Sequence, residues 1–212
     1  MTVTQETRGR ILVVRVEREH KRNAIDVDTA QGIDVALNRL EDDPALWVGV
    51  LTGTQTVFSA GTDLKDGADA RTERGGEYGL IRRSRVKPLI AAVEGVAFGG
   101  GFEIALACDL IVASTTARFA LPETRRGVVA TSGALFRAVR ALPLHVAKEL
   151  LITGAELGAE RGLSSRPSQP ADRARPGLGG CRRARRADLR LVAGVCACHP
   201  RSHQRSSGGA GS

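Results

Sequence analysis

Residues 93–109 read "VEGVAFGGGFEIALACD". Three consecutive glycines, Gly99 to Gly101, interrupt one apolar run, and Glu103 lies inside the next. Glycine weakens the interior of a regular element, and a buried carboxylate is costly unless it is paired or used. A strand-to-helix junction accounts for both. The first N–H groups of a helix lack intrahelical acceptors, and glycine leaves them uncovered. Glu103, one turn after Gly100, can point to the same side as those donors. A tight turn with a solvent-facing Glu is the commoner meaning of a lone GGG, so its surroundings decide the reading.

Upstream and downstream, strand-like and helix-like segments alternate from residue 11 to about 162. "ILVVRVE" (11–17) is β-branched and bounded by charge, as a strand should be. Asp26 offers an N-cap to a helix whose apolar face is Ala30, Ile33, Leu37 and Leu40, ended by "EDDP". "WVGVLTG" (47–53) and "PLIAAVEG" (88–95) read as further strands. A helix from Gly100 to Ala107 follows, then a strand through "LIVAS" (110–114). Two helices fit 132–142 and 143–153, with Leu135, Val139 and Leu142 on one face and Ala147, Leu150 and Leu151 on the other. Such alternation predicts an α/β body with much parallel pairing.

Two other segments bear on the glycine junction. "FSAGTDLKD" (58–66) follows the second of these strands and surrounds Thr62, a second candidate N–H donor, with small residues. "FALPETRRG" (119–127) sets Glu123 directly after Pro122 on a loop leaving an apolar segment. Glu103 and Glu123 together supply the two carboxylates needed to add or remove water across a double bond.

With these segments in place, residues 11–162 resemble the enoyl-CoA hydratase/isomerase (crotonase) superfamily. The resemblance is carried by "HKRNAID" (20–26), "FSAGTDLKD", "IAAVEGVAFGGGFEIALACDLIVAS" (90–114), "FALPETRRGVV" (119–129) and "AKELLITGAELGAERGL" (147–163), in order and at the family's spacing. It implies repeated ββα turns coiled into a superhelix, assembled as a homotrimer or hexamer. It implies an acyl-CoA substrate whose thioester oxygen sits in an oxyanion hole made by the N–H groups of Thr62 and Gly100. Ala60, Gly61, Asp63, Leu64 and Lys65 would line the adenine and pantetheine path, and Arg22 and Ala24 match positions near the CoA phosphates and thioester. Glu103 and Glu123 match the acid/base pair of true hydratases. One would deprotonate the attacking water and the other deliver the proton to Cα; spacing does not assign which. Retention of both favours hydration, with a Δ3-Δ2 enoyl-CoA isomerase of the same fold as the alternative. Coenzyme A is part of the substrate, and no metal or further cofactor is implied.

Charge divides the chain in two. Of 31 Lys+Arg and 23 Asp+Glu, residues 163–212 hold ten Arg and two Asp, so the whole +8 lies there and residues 1–162 are neutral. Residues 164–212 lack Phe, Tyr, Trp, Ile, Met and Lys. That composition cannot bury enough surface to offset chain entropy, so a core over 1–162 and a disordered Arg-rich tail over 163–212 are expected. The tail stands where family members continue with amphipathic helices. Its composition is that of GC-rich codons read in the wrong phase, so a shifted reading frame beyond residue 162 is the expectation. A nucleic-acid-binding role for "RRARR" (182–186) is the rival reading, weakened by the absence of interleaved aromatics. Cys196, Cys198, His199 and His203 lack zinc-site spacing, and Cys108 reads as a small buried side chain. The chain has no apolar run of spanning length and no secretory pattern at its N-terminus, so a cytoplasmic location is expected.

Overall fold

The computed structural model describes residues 2–65 and 70–164. Its elements are β1 (Val3–Arg8), β2 (Ile11–Val16), α1 (Val27–Asp42), β3 (Val48–Thr52), β4 (Val57–Ser59), β5 (Arg71–Thr72), β6 (Gly76–Glu77), β7 (Leu89–Val93) and β8 (Val96–Phe98). They continue with α2 (Gly100–Ala107), β9 (Leu110–Ala113), β10 (Arg118–Ala120), α3 (Ala134–Ala141), α4 (Leu144–Thr153), β11 (Glu156–Gly158) and α5 (Ala159–Ser164). Short 3-10 turns lie at Glu19–Lys21 and Pro122–Arg126.

Two sheets organise these strands. One has the order β1-β2-β3-β7-β9 and the other β11-β10-β8-β4, while β5 and β6 form a small hairpin. β2, β3, β7 and β9 pair in parallel, as do β4, β8 and β10. Successive chain segments thus give one strand to each sheet: β3 then β4, β7 then β8, β9 then β10. After the second and third pairs comes a helix or helical turn, which is the ββα superhelix. All five residues of β7 are buried, as expected of a parallel strand covered on both faces.

The sequence dictates most of this locally. Asp26 caps α1 by accepting the Thr29 N–H at 2.8 Å and the Thr29 hydroxyl at 2.6 Å. Ala30, Ile33, Leu37 and Leu40 are fully buried, so the predicted face of α1 is the packed one. α2 is buried from Gly100 through Ala105, which is why it shows no polar stripe.

Two sequence-based expectations need correction. β1, "VTQETR", was not expected: it is an edge strand with Val3 its one buried residue, and its polar composition hides a ladder with β2 made entirely of backbone bonds. In α3 the inner face is Ala134 and Ala138, both fully buried, whereas Leu135 is 52 % and Val139 37 % exposed. Small residues let α3 approach α2 closely, and that packing overrides the apolar stripe. α4 packs as its spacing predicts, through Ala147 and Leu150. Among the described residues no helix is long and apolar enough to cross a membrane. The expectations for residues beyond 164, of disorder, shifted frame, nucleic-acid patch or zinc, lie outside the described residues.

Candidate active site

Four loops meet at the C-terminal ends of β4, β8 and β10. The loop after the Glu19–Lys21 turn is pinned to the loop after β4 by a buried polar network. Arg18 Nη1 donates to Asp63 Oδ2 at 2.6 Å, and its Nη2 lies 3.0 Å from Asp26 Oδ2. The Asn23 amide donates to the Val57 carbonyl, and the Ser59 hydroxyl donates to the Asn23 carbonyl. Ile25 N–H donates to Gly61 O, and Asp63 N–H donates to Ile25 O. These bonds use the neighbours of Thr62 and leave its own N–H without an acceptor among the described residues. The Gly100 N–H, at the start of α2, is likewise uncommitted.

The glycines make the approach of these two amides possible. Gly61 has φ +97°, and a Cβ there would lie 2.9 Å from Gly100 N and 3.0 Å from Phe98 O. Gly99 has φ +54°, and a Cβ on it would meet Glu123 Oε1 at 3.0 Å. A Cβ on Gly100 would come within 2.5 Å of the Tyr78 hydroxyl, and one on Gly101 would collide with the Ser59 carbonyl. Each glycine of the triplet therefore clears a different neighbour.

Glu103, 2 % exposed, extends from the first turn of α2 and accepts the Ala134 N–H at 3.1 Å through Oε1. Glu123 follows Pro122 in its 3-10 turn, and its Oε2 is buried without a hydrogen-bond partner among the described residues. Burial raises both carboxyls above their ordinary value, and the nearby Glu123 charge raises Glu103 further. The Ala134 N–H and Ser132 pull Glu103 back, and Arg126 does the same for Glu123. For both carboxyls burial favours the protonated form, and a charge on Glu123 favours it further at Glu103.

A cavity of about 290 Å3 is lined by Arg22, Ala60, Gly61, Thr62, Leu64, Gly100, Glu103 and Glu123 together. Three of the expected residues stand off its wall. Asp63 is buried in the Arg18 ion pair and accepts the Lys65 N–H, so it shapes the loop from behind. Ala24 gives its carbonyl to Arg18, and Lys65 is exposed beyond the rim. The wall also holds residues that the sequence did not single out: Tyr78, Phe98, Arg126 and the segment from Val128 to Thr131. Nothing in "GGEYGL" (75–80) marks Tyr78 except that it is the chain's single tyrosine. Among the described residues no group of three or more His, Cys, Asp and Glu gathers as a metal site would.

Glu103 and Glu123 thus share one cavity with Thr62 and Gly100 in a two-sheet ββα superhelix. The family model described as Enoyl-CoA hydratase/isomerase matches residues 6–164. The chain belongs to the enoyl-CoA hydratase/isomerase (crotonase) family. It is 43 % identical over 164 residues to the carnitinyl-CoA dehydratase of Proteus mirabilis (strain HI4320), covering 74 % of this chain and 62 % of that one. To the Escherichia coli (strain K12) protein of the same name it is 44 % identical over 162 residues, again with 62 % of the relative covered. The chain thus spans under two thirds of the length of these curated relatives. Among solved structures, an enoyl-CoA hydratase from Mycobacterium tuberculosis H37Rv superposes with a TM-score of 0.76 at 37 % identity, covering 91 % of this chain and 75 % of that one. Enoyl-CoA hydratase EchA1 from Mycobacterium marinum does so with a TM-score of 0.72 at 41 % identity, covering 78 % and 66 %.

Proposed function

We propose that the site adds water reversibly to the Cα–Cβ double bond of a 2-enoyl-CoA thioester. The observation that carries this reading is the gathering of Glu103, Glu123 and the Thr62 and Gly100 amides around one cavity. Relatives named carnitinyl-CoA dehydratase and enoyl-CoA hydratase support it, because dehydration and hydration are two directions of one reaction.

The thioester oxygen would accept from the two amides at the cavity wall. As the water oxygen bonds to Cβ, electron density moves from the double bond onto that oxygen. Preorganised donors stabilise it there, each worth about 3 kcal/mol when removed. One glutamate, ionised, takes a proton from the water; the other, protonated, gives its proton to Cα. The raised carboxyls suit this division, since burial favours the protonated form that one partner must hold. Both side chains line the cavity, Glu103 with Oε1 held by the Ala134 N–H and Glu123 with Oε1 facing Gly99. Arg22 and Arg126 at the wall would meet the CoA phosphates, and Leu64, 76 % exposed, would pack on the pantetheine or adenine. Homo-oligomer formation, a trimer or hexamer, is part of the same proposal.

The test is an assay of the full chain with a crotonyl-type thioester beside a 3-enoyl thioester. Loss of the conjugated-thioester absorbance on water addition is expected. Conversion of the 3-enoyl thioester alone would replace hydration with isomerisation.

A further inference from the structure

We infer that the Tyr78 hydroxyl is a third donor to the thioester oxygen, beside the Thr62 and Gly100 amides; the inference rests on the acyl-CoA reading above. Tyr78 follows β6 and is 7 % exposed, yet it lines the cavity that holds both glutamates. Its hydroxyl lies 2.8 Å from Thr62 Oγ1 and stands over Gly100, where a Cβ would be 2.5 Å away. It therefore sits against both residues whose amides frame the oxyanion position. If the Ser132 and Thr62 hydroxyls both donate to the Tyr78 oxygen, the single phenolic hydrogen is left to point at the thioester oxygen.

The backbone at Tyr78 fits a functional rather than a packing role. Tyr78 has φ +57°, a left-handed conformation that is unusual for a bulky residue and is kept where surrounding structure enforces it. The enforcement is visible: Tyr78 N–H donates to Ala70 O at 2.7 Å, and Gly79 beside it packs on the Ala30 carbonyl of α1. Burial, with the charges of Glu103 and Glu123, holds the phenol above its ordinary value, so it stays a neutral donor. The Ser132 and Thr62 hydroxyls act the other way, favouring the ionised phenol, and do not outweigh burial.

Tyr78→Phe keeps the ring and removes only the hydroxyl. We expect kcat to fall on the order of 100-fold with little change in KM, and the thermal midpoint to fall only by what the lost Thr62–Tyr78 hydrogen bond accounts for. Thr62→Val, which keeps the amide and loses the orienting hydroxyl, should lower kcat less, and the double variant should be no worse than Tyr78→Phe alone. The second readout is spectroscopic: a 3-ketoacyl-CoA bound to the native chain should show enolate absorbance, and Tyr78→Phe should reduce it. Enolate absorbance and kcat equal to the native chain's in Tyr78→Phe would overturn the inference and leave the hydratase reading intact. A native chain that neither binds the 3-ketoacyl-CoA nor turns over an enoyl thioester would remove both.

Discussion

Glu103 is the residue on which stability and chemistry conflict. Its carboxyl is raised first by burial and then by the Glu123 charge, so the folded chain holds this proton more tightly than the unfolded chain does. The stability associated with it is fully present below the ordinary value of 4.5 and is lost as pH rises through the raised folded value. Glu103→Gln carries no such charge and can still accept the Ala134 N–H. Its thermal midpoint should match the native chain's near pH 4 and exceed it increasingly toward pH 7. Parallel melting curves across that range test the sign; a gain that shrank as pH rose would show that the carboxylate is stabilised by partners rather than strained by burial.

At the scale of elements, the junction between the β4 loop and α2 decides whether the two amides converge. Gly61→Ala must place a methyl 2.9 Å from Gly100 N at φ +97°. We expect a loss of about 1–3 kcal/mol from the backbone alone. Turnover should fall by more than stability does, because displacement of about 1 Å can cost on the order of 100-fold in rate. Melting and kcat measured on one preparation separate the two effects. A folded Gly61→Ala with native kcat would show that the close approach is not needed. Much of this junction was legible beforehand. The strands and helices around it, Glu103, Glu123, Thr62 and Gly100 follow from motif spacing, and the structure brings those four to one cavity. Tyr78 was not legible, because its place depends on a left-handed backbone set by contacts with α1 and not by its neighbours in sequence. The inner face of α3 was misread for a related reason. Ala134 and Ala138 pack against α2 while the larger Leu135 and Val139 face outward, and periodicity weighs size, not fit. Asp63 likewise belongs to an ion pair that only the fold reveals.

At the scale of the whole molecule, the outward apolar residues have a consequence. Val128, Val129, Leu135, Phe136, Leu144 and Ile152 are each at least 49 % exposed. Large apolar side chains left exposed in this number favour association, so the chain should sediment as larger than a monomer at micromolar concentration. Leu135→Glu with Phe136→Glu should shift it toward monomer; a native chain already monomeric at all concentrations would contradict this. The central claim is that two carboxyls and two backbone amides act as one hydration site, and the most direct measurement is turnover of a crotonyl-type thioester by Glu103→Gln and Glu123→Gln, with CoA-thioester binding measured alongside. Each substitution should lower kcat by orders of magnitude while binding stays close to native. Near-native turnover in either folded variant would contradict the account.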